Sequence, residues 1–314
     1  KIYKKSGQGR RTGVGITAEG DMLAAMGLRY GTEEATEFSE QVHKTIALEA
    51  YRSSVNMAKE RGAFAIYDSE REKNNPFINR LKEADPELYE EMKKYGRRNI
   101  ACLTIAPTGT TSLMTQTTSG IEPVFMPVYK RRRKVNPNDP QTHVDFVDET
   151  GDAFEEYIVF HHKFVEWMTV NGYDPTKRYT QEEIDKLVEK SPYYKATSND
   201  VDWLMKVKMQ GLIQKWVDHS ISVTINLPND VDEALVNRLY VEAWRSGCKG
   251  CTVYRDGSRS GVLLSTKKDK KDKKEELPPC KPPTVVEVRP KVLEAEVVRF
   301  QNNKEKWVAF VGLL

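Results

Sequence analysis

Through residues 1–264, runs of strand length alternate with stretches of helical period, and that alternation confines the chain to an α/β fold with partly parallel strands. Asn99–Ala106 is a compact apolar run, Ile221–Leu227 alternates and is β-branched, and Cys251–Tyr254 is a further short strand. In the longest helical stretch, Phe38, Val42, Ile46, Ala50, Tyr51 and Val55 fall mostly about four residues apart. Thr32 serves as its N-cap, Glu33 and Glu34 favour the positive end of its dipole, and Gly62 stops it. A short helix is expected within 18–30. Further helices are expected over 78–95, 152–171 and 200–217, and from an N-cap at Asp230 through Trp244.

The chain divides into three segments. Residues 1–264 carry the alternation. Residues 265–289 are rich in Lys, Asp, Glu and Pro without an apolar period, and read as a linker. Residues 290–314 begin a small domain with strands over 292–300 and 306–311 and a turn at 301–305. The abrupt ends, Lys1 without a Met and Leu314 in a strand-like run, read as fragment boundaries.

The 39% hydrophobic and 30% charged residues suit a globular chain with a real core. No apolar run approaches the roughly 18 residues that span a bilayer, and no signal-peptide core follows Lys1. The expectation is a cytoplasmic protein with no membrane partner. A net charge of +3 does not demand nucleic acid. Four cysteines are too few for a disulfide framework.

The stretch Ala106-Pro107-Thr108-Gly109-Thr110-Thr111-Ser112-Leu113 carries the most chemistry. Pro107 ends a strand, since it lacks a ladder donor. Gly109 lets the backbone approach a ligand closely. Hydroxyls from Thr108, Thr110, Thr111 and Ser112 lie beside backbone N–H groups that open a helix, an arrangement that suits phosphate. A P-loop is excluded, because no Gly-Lys-Ser/Thr stands at the required spacing. The plain alternative is a Thr-rich capping turn without a ligand.

Cys248 and Cys251 form a Cys-x-x-Cys. Without a second such pair, zinc lacks ligands. A redox pair and two small packing residues both remain open, with packing the more common use of cysteine. Cys102 and Cys280 carry no pattern. His161, His162 and Glu166 fall on an expected helix, which reads as a solvated face and not as a metal site. Lys130-Arg131-Arg132-Arg133-Lys134 reads first as an exposed connection and second as a patch that steers anionic nucleotides.

Residues Ala106–Phe125, APTGTTSLMTQTTSGIEPVF, resemble the substrate-phosphate loop of ribonucleotide reductases followed by that family's Gly-Ile-Glu-Pro segment, here Gly120–Pro123. The Pro-Thr-Gly-Thr form is similar to that of the class II, adenosylcobalamin-dependent enzymes. Arg10–Gly15, Ser220–Pro228 and Cys248–Arg259 resemble further segments of the family in order. The resemblance covers roughly residues 1–264, and the tail from Arg289 through Trp307 is similar to the C-terminal extension of long class II enzymes.

The resemblance implies a ten-stranded α/β barrel and reduction of ribonucleotides, diphosphates in the first instance. In that chemistry, homolysis of the cobalt–carbon bond of adenosylcobalamin yields a cysteine thiyl radical on a finger loop, and a cysteine pair then reduces the ribose. It further implies Pro107, Thr108, Gly109, Thr110 and Thr111 as the phosphate-binding residues, a dithiol reductant such as thioredoxin, and a homodimer. No Asn-x-Cys-x-Glu finger loop occurs in the chain. It is expected upstream, so no catalytic residue is assigned here and the piece alone is expected to be inactive. A class I large subunit would carry a relay tyrosine pair where this chain has Gly250-Cys251. A non-catalytic nucleotide-binding half of a split enzyme is the alternative from another class.

Overall fold

The structure is a computed structural model that describes residues 2–135, 143–147 and 153–256, and the backbone of strands within 295–302 and 305–312. Its contacts separate two compact units, Lys1–Thr266 and Lys267–Leu314. The expected linker at 265–289 and Cys280 lie outside the described residues.

In the first unit, α1 (Ile2–Gly9) and α2 (Glu19–Ala25) precede the long α3 (Glu33–Arg61). The hydroxyl of Thr32 accepts the Ala35 N–H and Gly62 closes the helix, as the sequence implies. Next come α4 (Ser69–Glu72), α5 (Pro76–Ala84), α6 (Pro86–Tyr95) and α7 (Gly109–Thr115). The single helix expected over 78–95 is two helices. Asp85 turns extended and caps α6 by accepting the Leu88 N–H, while Pro86, with no N–H, occupies the first turn.

Four extended segments run parallel. Val14 bridges Leu103, Ile105 bridges Ile221, and β4 (Thr224–Leu227) pairs with β5 (Thr252–Arg255) from Thr224↔Thr252 to Leu227↔Arg255. The run at 99–106 is thus extended but joins its neighbours by single bridges instead of a continuous ladder. Its start is pinned by one carboxylate. Asp218 accepts the N–H groups of Cys102 (2.7 Å) and Leu103 (2.9 Å) and the hydroxyl of Tyr51 (2.7 Å). A main core gathers Tyr51 and Val55 of α3 with Leu103, Ile105, Ile221 and Val223. The α10 helix (Trp203–Gln214) and α11 (Glu233–Arg245) cover β4 and β5, burying Val207, Ile225, Leu227 and Leu239. Each such side chain contributes roughly 1.5–3 kcal/mol of burial. The α11 N-cap is Asp232, which accepts the Leu235 N–H, not Asp230.

The segment 152–171 is not one helix. Strands β1 (Val128–Val135), β2 (Phe146–Val147) and β3 (Ala153–Phe160) form an antiparallel sheet in the order β1-β3-β2, and α8 (His162–Val170) starts only after it. The aromatic and β-branched residues of 153–160 suit a strand as well as a helix face, and a partner some twenty residues upstream decides between them. In that register Arg132 meets Glu156 (2.9 Å) and Arg133 meets Glu155 (2.5 Å). The basic run is therefore a paired strand, not a loose connection. Behind it, α8 and α9 (Gln181–Lys190) pack a second core of Phe164, Met168, Ile184, Leu187 and Tyr193 against Val128.

In the second unit, β6 (Ala295–Asn302) and β7 (Glu305–Gly312) form an antiparallel hairpin from Ala295↔Gly312 to Asn302↔Glu305. The strands extend beyond the expected 292–300 and 306–311 at the ends that face each other in sequence, to Asn302 and from Glu305. The observed architecture is α/β, and among the described residues no sheet closes on itself.

Candidate functional site

The 106–112 loop leaves the carboxyl end of the segment that contains Leu103 and Ile105, whose position the core sets. Pro107 is exposed and ends the pairing. Thr108 carries the backbone strain. Its φ of 51° is left-handed, which a β-branched residue rarely adopts. Two bonds hold it there. Its hydroxyl accepts the Gly120 N–H (2.7 Å) and lies 3.2 Å from the Thr17 hydroxyl. The first bond within the turn runs from the Ser112 N–H to the Thr108 carbonyl (2.8 Å). The N–H groups of Gly109, Thr110 and Thr111 come before it and lack an intrahelical acceptor.

The structure sorts the hydroxyls that the sequence groups together. Thr108 and Ser112 point inward; Ser112 donates to the Gly109 carbonyl and lies 2.8 Å from the Ser119 hydroxyl. Thr110 and Thr111 are exposed. A Cβ built on Gly109 would meet nothing within 4 Å, so open space lies over this backbone.

A cleft of about 1120 Å³ opens there, lined by Gly109, Thr110, Thr117, Thr118 and Ser119 on one side and by Lys130, Arg131 and Arg132 of β1 on the other. Free N–H groups thus face a basic strand across a cavity of nucleotide-binding size. The electrostatic role considered second for Lys130–Lys134 is sterically available to Lys130, Arg131 and Arg132, although Glu156 partly neutralises Lys130 and Arg132.

The return segment 117–122 is stitched down on both flanks. The Ala18 and Glu19 N–H groups donate to the Thr118 and Gly120 carbonyls, and the carboxylate of Glu122 accepts the Thr224 N–H of β4 (3.0 Å). Beside it, buried Lys206 donates to the Thr224 carbonyl (2.5 Å); burial pushes its amine down to about 8, against the attraction of Glu122.

One group on the cleft wall escapes sequence reasoning. His161, expected on a solvated helix face, instead follows β3 and lies 2.8 Å from buried Asp21. Asp21 also accepts the Tyr193 hydroxyl (2.9 Å) and the Thr118 N–H (2.7 Å). It therefore ties the hydroxyl-rich segment to the β1–β3 sheet. Residues 140 positions apart leave no periodic signal of such a contact. His162 opens α8. Among the described residues no group of three or more His, Cys, Asp or Glu is placed to hold a metal ion, and no helix is long and apolar enough to cross a membrane.

Cys248 and Cys251 are free, half-buried thiols packed on the core of Val207, Ile225 and Leu239. The Cys248 thiol donates to the Val207 carbonyl (3.8 Å). Burial, then proximity to Cys251, pushes Cys248 up to about 11, and burial raises Cys251 against the attraction of Lys206. Neither is a ready thiolate near neutral pH. Cys251 and Pro107 share a shallow cavity of about 460 Å³ on the sheet.

Parallel extended segments joined by helices, with a turn of exposed N–H groups at a carboxyl end, define an α/β class of protein. Within it, residues 1–254 match the family model described as "Ribonucleotide reductase, barrel domain", and the chain belongs to that family. It is 30% identical over 264 residues to the vitamin B12-dependent ribonucleoside-diphosphate reductase of Mycobacterium tuberculosis (strain CDC 1551 / Oshkosh), covering 82% of this chain and 33% of that protein. It is 29% identical over 280 residues to the enzyme of the same name from Thermoplasma acidophilum, covering 88% of this chain and 32% of the relative. The chain spans about a third of the length of these curated relatives. Among solved structures, the Actinobacillus ureae class Id ribonucleotide reductase alpha subunit shares the fold, with a TM-score of 0.54 and 16% identity over 81% of this chain and 41% of that one.

Proposed function

We propose that this chain supplies the substrate-phosphate-binding part of an adenosylcobalamin-dependent ribonucleotide reductase acting on ribonucleoside diphosphates. The observation that carries the reading is the set of N–H groups at Gly109, Thr110 and Thr111, held by a strained Thr108, of which Gly109 and Thr110 line the cleft with the cations of β1. Pro107 and Thr108 shape the turn, and Gly109, Thr110 and Thr111 meet the phosphate oxygens. Charge-assisted bonds of this kind are worth about 1.5–3 kcal/mol each. Cobalamin dependence is preferred to a class I reading because relatives named as vitamin B12-dependent match over most of the chain, and because Gly250-Cys251 stands where the tyrosine pair is expected. The described residues do not themselves build a corrinoid site. The cleft at the loop sets the cations of β1 beside Leu113, Val124, Phe125 and Met126, and the cavity against Trp167 holds only about 240 Å³. The cofactor's chemistry is therefore assigned to the whole enzyme, and no step of it to this chain's side chains.

The same reading assigns residues 1–264 to a ten-stranded barrel, 265–289 to a linker and 290–314 to a further small domain. It assigns a dithiol reductant, a cytoplasmic setting and a homodimeric assembly to the whole enzyme. Cys248 and Cys251 are packing residues in it, consistent with their raised thiols and apolar neighbours. The test is equilibrium binding of a ribonucleoside diphosphate to the chain and to its Gly109→Val form. A Cβ at this position meets no protein atom within 4 Å, so the fold should persist while the cradle fills. The dissociation constant should rise by roughly tenfold or more, about 1.4 kcal/mol. Thr110→Ala should act in the same direction but less, because the backbone donors remain. Unchanged affinity in folded Gly109→Val protein would remove the loop from the site.

A further inference from the structure

We propose a second anion-binding site, for the phosphate groups of a small phosphorylated ligand, in the cleft at the amino ends of the parallel segments. Arg11 precedes Val14, Ala101 precedes Leu103, Asp218 precedes Ile221 and Lys249 precedes Thr252, and all four line one cavity of about 670 Å³. The loop at 107–111 leaves the opposite, carboxyl end of the same segments. Ligands of α/β sheets ordinarily bind at that carboxyl end. The amino-end cleft is thus not explained by the fold or by the function proposed above, and it does not rest on that function.

Its charge is one-sided. Six cations and two carboxylates line it, and both carboxylates are already engaged. Glu72 forks onto buried Arg97 (2.5 and 2.6 Å), and Asp218 accepts two backbone N–H groups and a tyrosine hydroxyl. Lys215 shares Glu40 with the Trp216 indole. That leaves Arg11, Arg80, Arg245 and Lys249 without a carboxylate bond among the described residues. Arg80 donates to the Lys215 carbonyl (2.5 Å), Lys249 to the carbonyls of Asp218 (2.5 Å) and His219 (3.2 Å), and Arg11 to the ring of His219 (2.8 Å). These bonds fix the cations in place and leave donors over, since a guanidinium has five and an ammonium three. Burial holds Lys249 below its usual range, against the attraction of Asp218, and the nearby charge of Arg80 adds to the lowering.

A helix adds to the field. Asn75, Pro76, Phe77 and Ile78, the cap and first turn of α5, line the same cavity, and the dipole of that nine-residue helix points its positive end inward. Structural capping explains one bond of Arg80 and two of Lys249. It does not explain why uncompensated cations and a helix amino end converge on a cavity large enough for a small ligand.

The probe is inorganic pyrophosphate, titrated calorimetrically into the chain. Gly109→Val protein serves as background, so that the loop at 107–111 does not contribute. Pyrophosphate should still bind there with one-to-one stoichiometry, and Arg80→Gln with Lys249→Gln should weaken it by roughly tenfold or more. Arg245→Ala, on the exposed end of α11 and with no bonding partner among the described residues, should weaken it about threefold without touching a cap. A parallel titration with adenosine diphosphate separates the ligand classes: tighter binding than pyrophosphate, lost in the same variants, assigns a nucleotide, and equal binding assigns a simpler phosphate compound. Pyrophosphate affinity unchanged by Arg245→Ala and by the double substitution, or no binding in the Gly109→Val background, would overturn the site. Loss of the loop alone would leave it standing.

Discussion

Cys102 shows how a residue with no motif acquires a measurable role from its surroundings. It is buried, and its thiol is pushed up to about 11 from an ordinary 9.0, first by burial and then by Asp218, whose carboxylate accepts its own N–H. A folded-state value above the unfolded one means that the folded state holds its proton more tightly. The stability so gained is complete below about pH 9 and disappears as pH rises to about 11. Stability of the wild type should therefore fall more steeply than that of Cys102→Ala over this window, by roughly 2–3 kcal/mol. Urea unfolding at intervals from pH 8 to 11 measures it, and parallel curves for the two proteins would refute the assignment. At the same scale, Thr108 shows a limit of composition: four hydroxyls in one loop look equivalent, yet two are spent on holding a left-handed residue and a short helix in place.

Among the elements, those with local punctuation were legible. Thr32 and Gly62 bound α3 because capping is settled within a few residues. Asp85-Pro86 was equally local, but the amphipathic period continues through it and masks the break. The two helices pack on one another and α6 packs on α3, so the break has consequences. Asp85 caps α6 and also binds Arg52 (2.5 Å). Replacing it with Ala should cost about 1–2 kcal/mol. Asp85→Asn keeps a capping oxygen and should cost less. Thermal unfolding of both variants checks the order, and equal losses would mean that the ion pair and not the cap matters. The β1–β3 sheet is the opposite case. Its strands are selected by pairing across a long separation, and a stretch such as Phe154–Phe160 satisfies both periods until Arg132 and Arg133 find Glu156 and Glu155.

For the whole molecule, membership of the ribonucleotide reductase family and the proposed chemistry make distinct demands. A phosphate cradle needs only the segments present here. Thiyl-radical reduction needs a cysteine on a finger loop, and no Asn-x-Cys-x-Glu occurs in these 314 residues. The polypeptide, given adenosylcobalamin, a dithiol and a ribonucleoside diphosphate, should bind the nucleotide and form no deoxyribonucleotide. Chromatographic detection of product above a cofactor-free control would show that another residue carries the radical and that the division of labour proposed here is wrong.

By itself the sequence determined the α/β class, the long helix and its ends, the presence of short strands near 221–227 and 251–254, which form as 224–227 and 252–255, and the loop at 106–112, because each depends on period, caps or composition within a few residues. The tertiary structure alone decided that the basic run is a strand facing that loop, that His161 meets Asp21, and that Arg11, Arg80, Arg245 and Lys249 share a cavity. Those pairings join residues tens to hundreds of positions apart. They are set by which faces pack and which charges remain uncompensated after packing, and no local pattern in the chain encodes either.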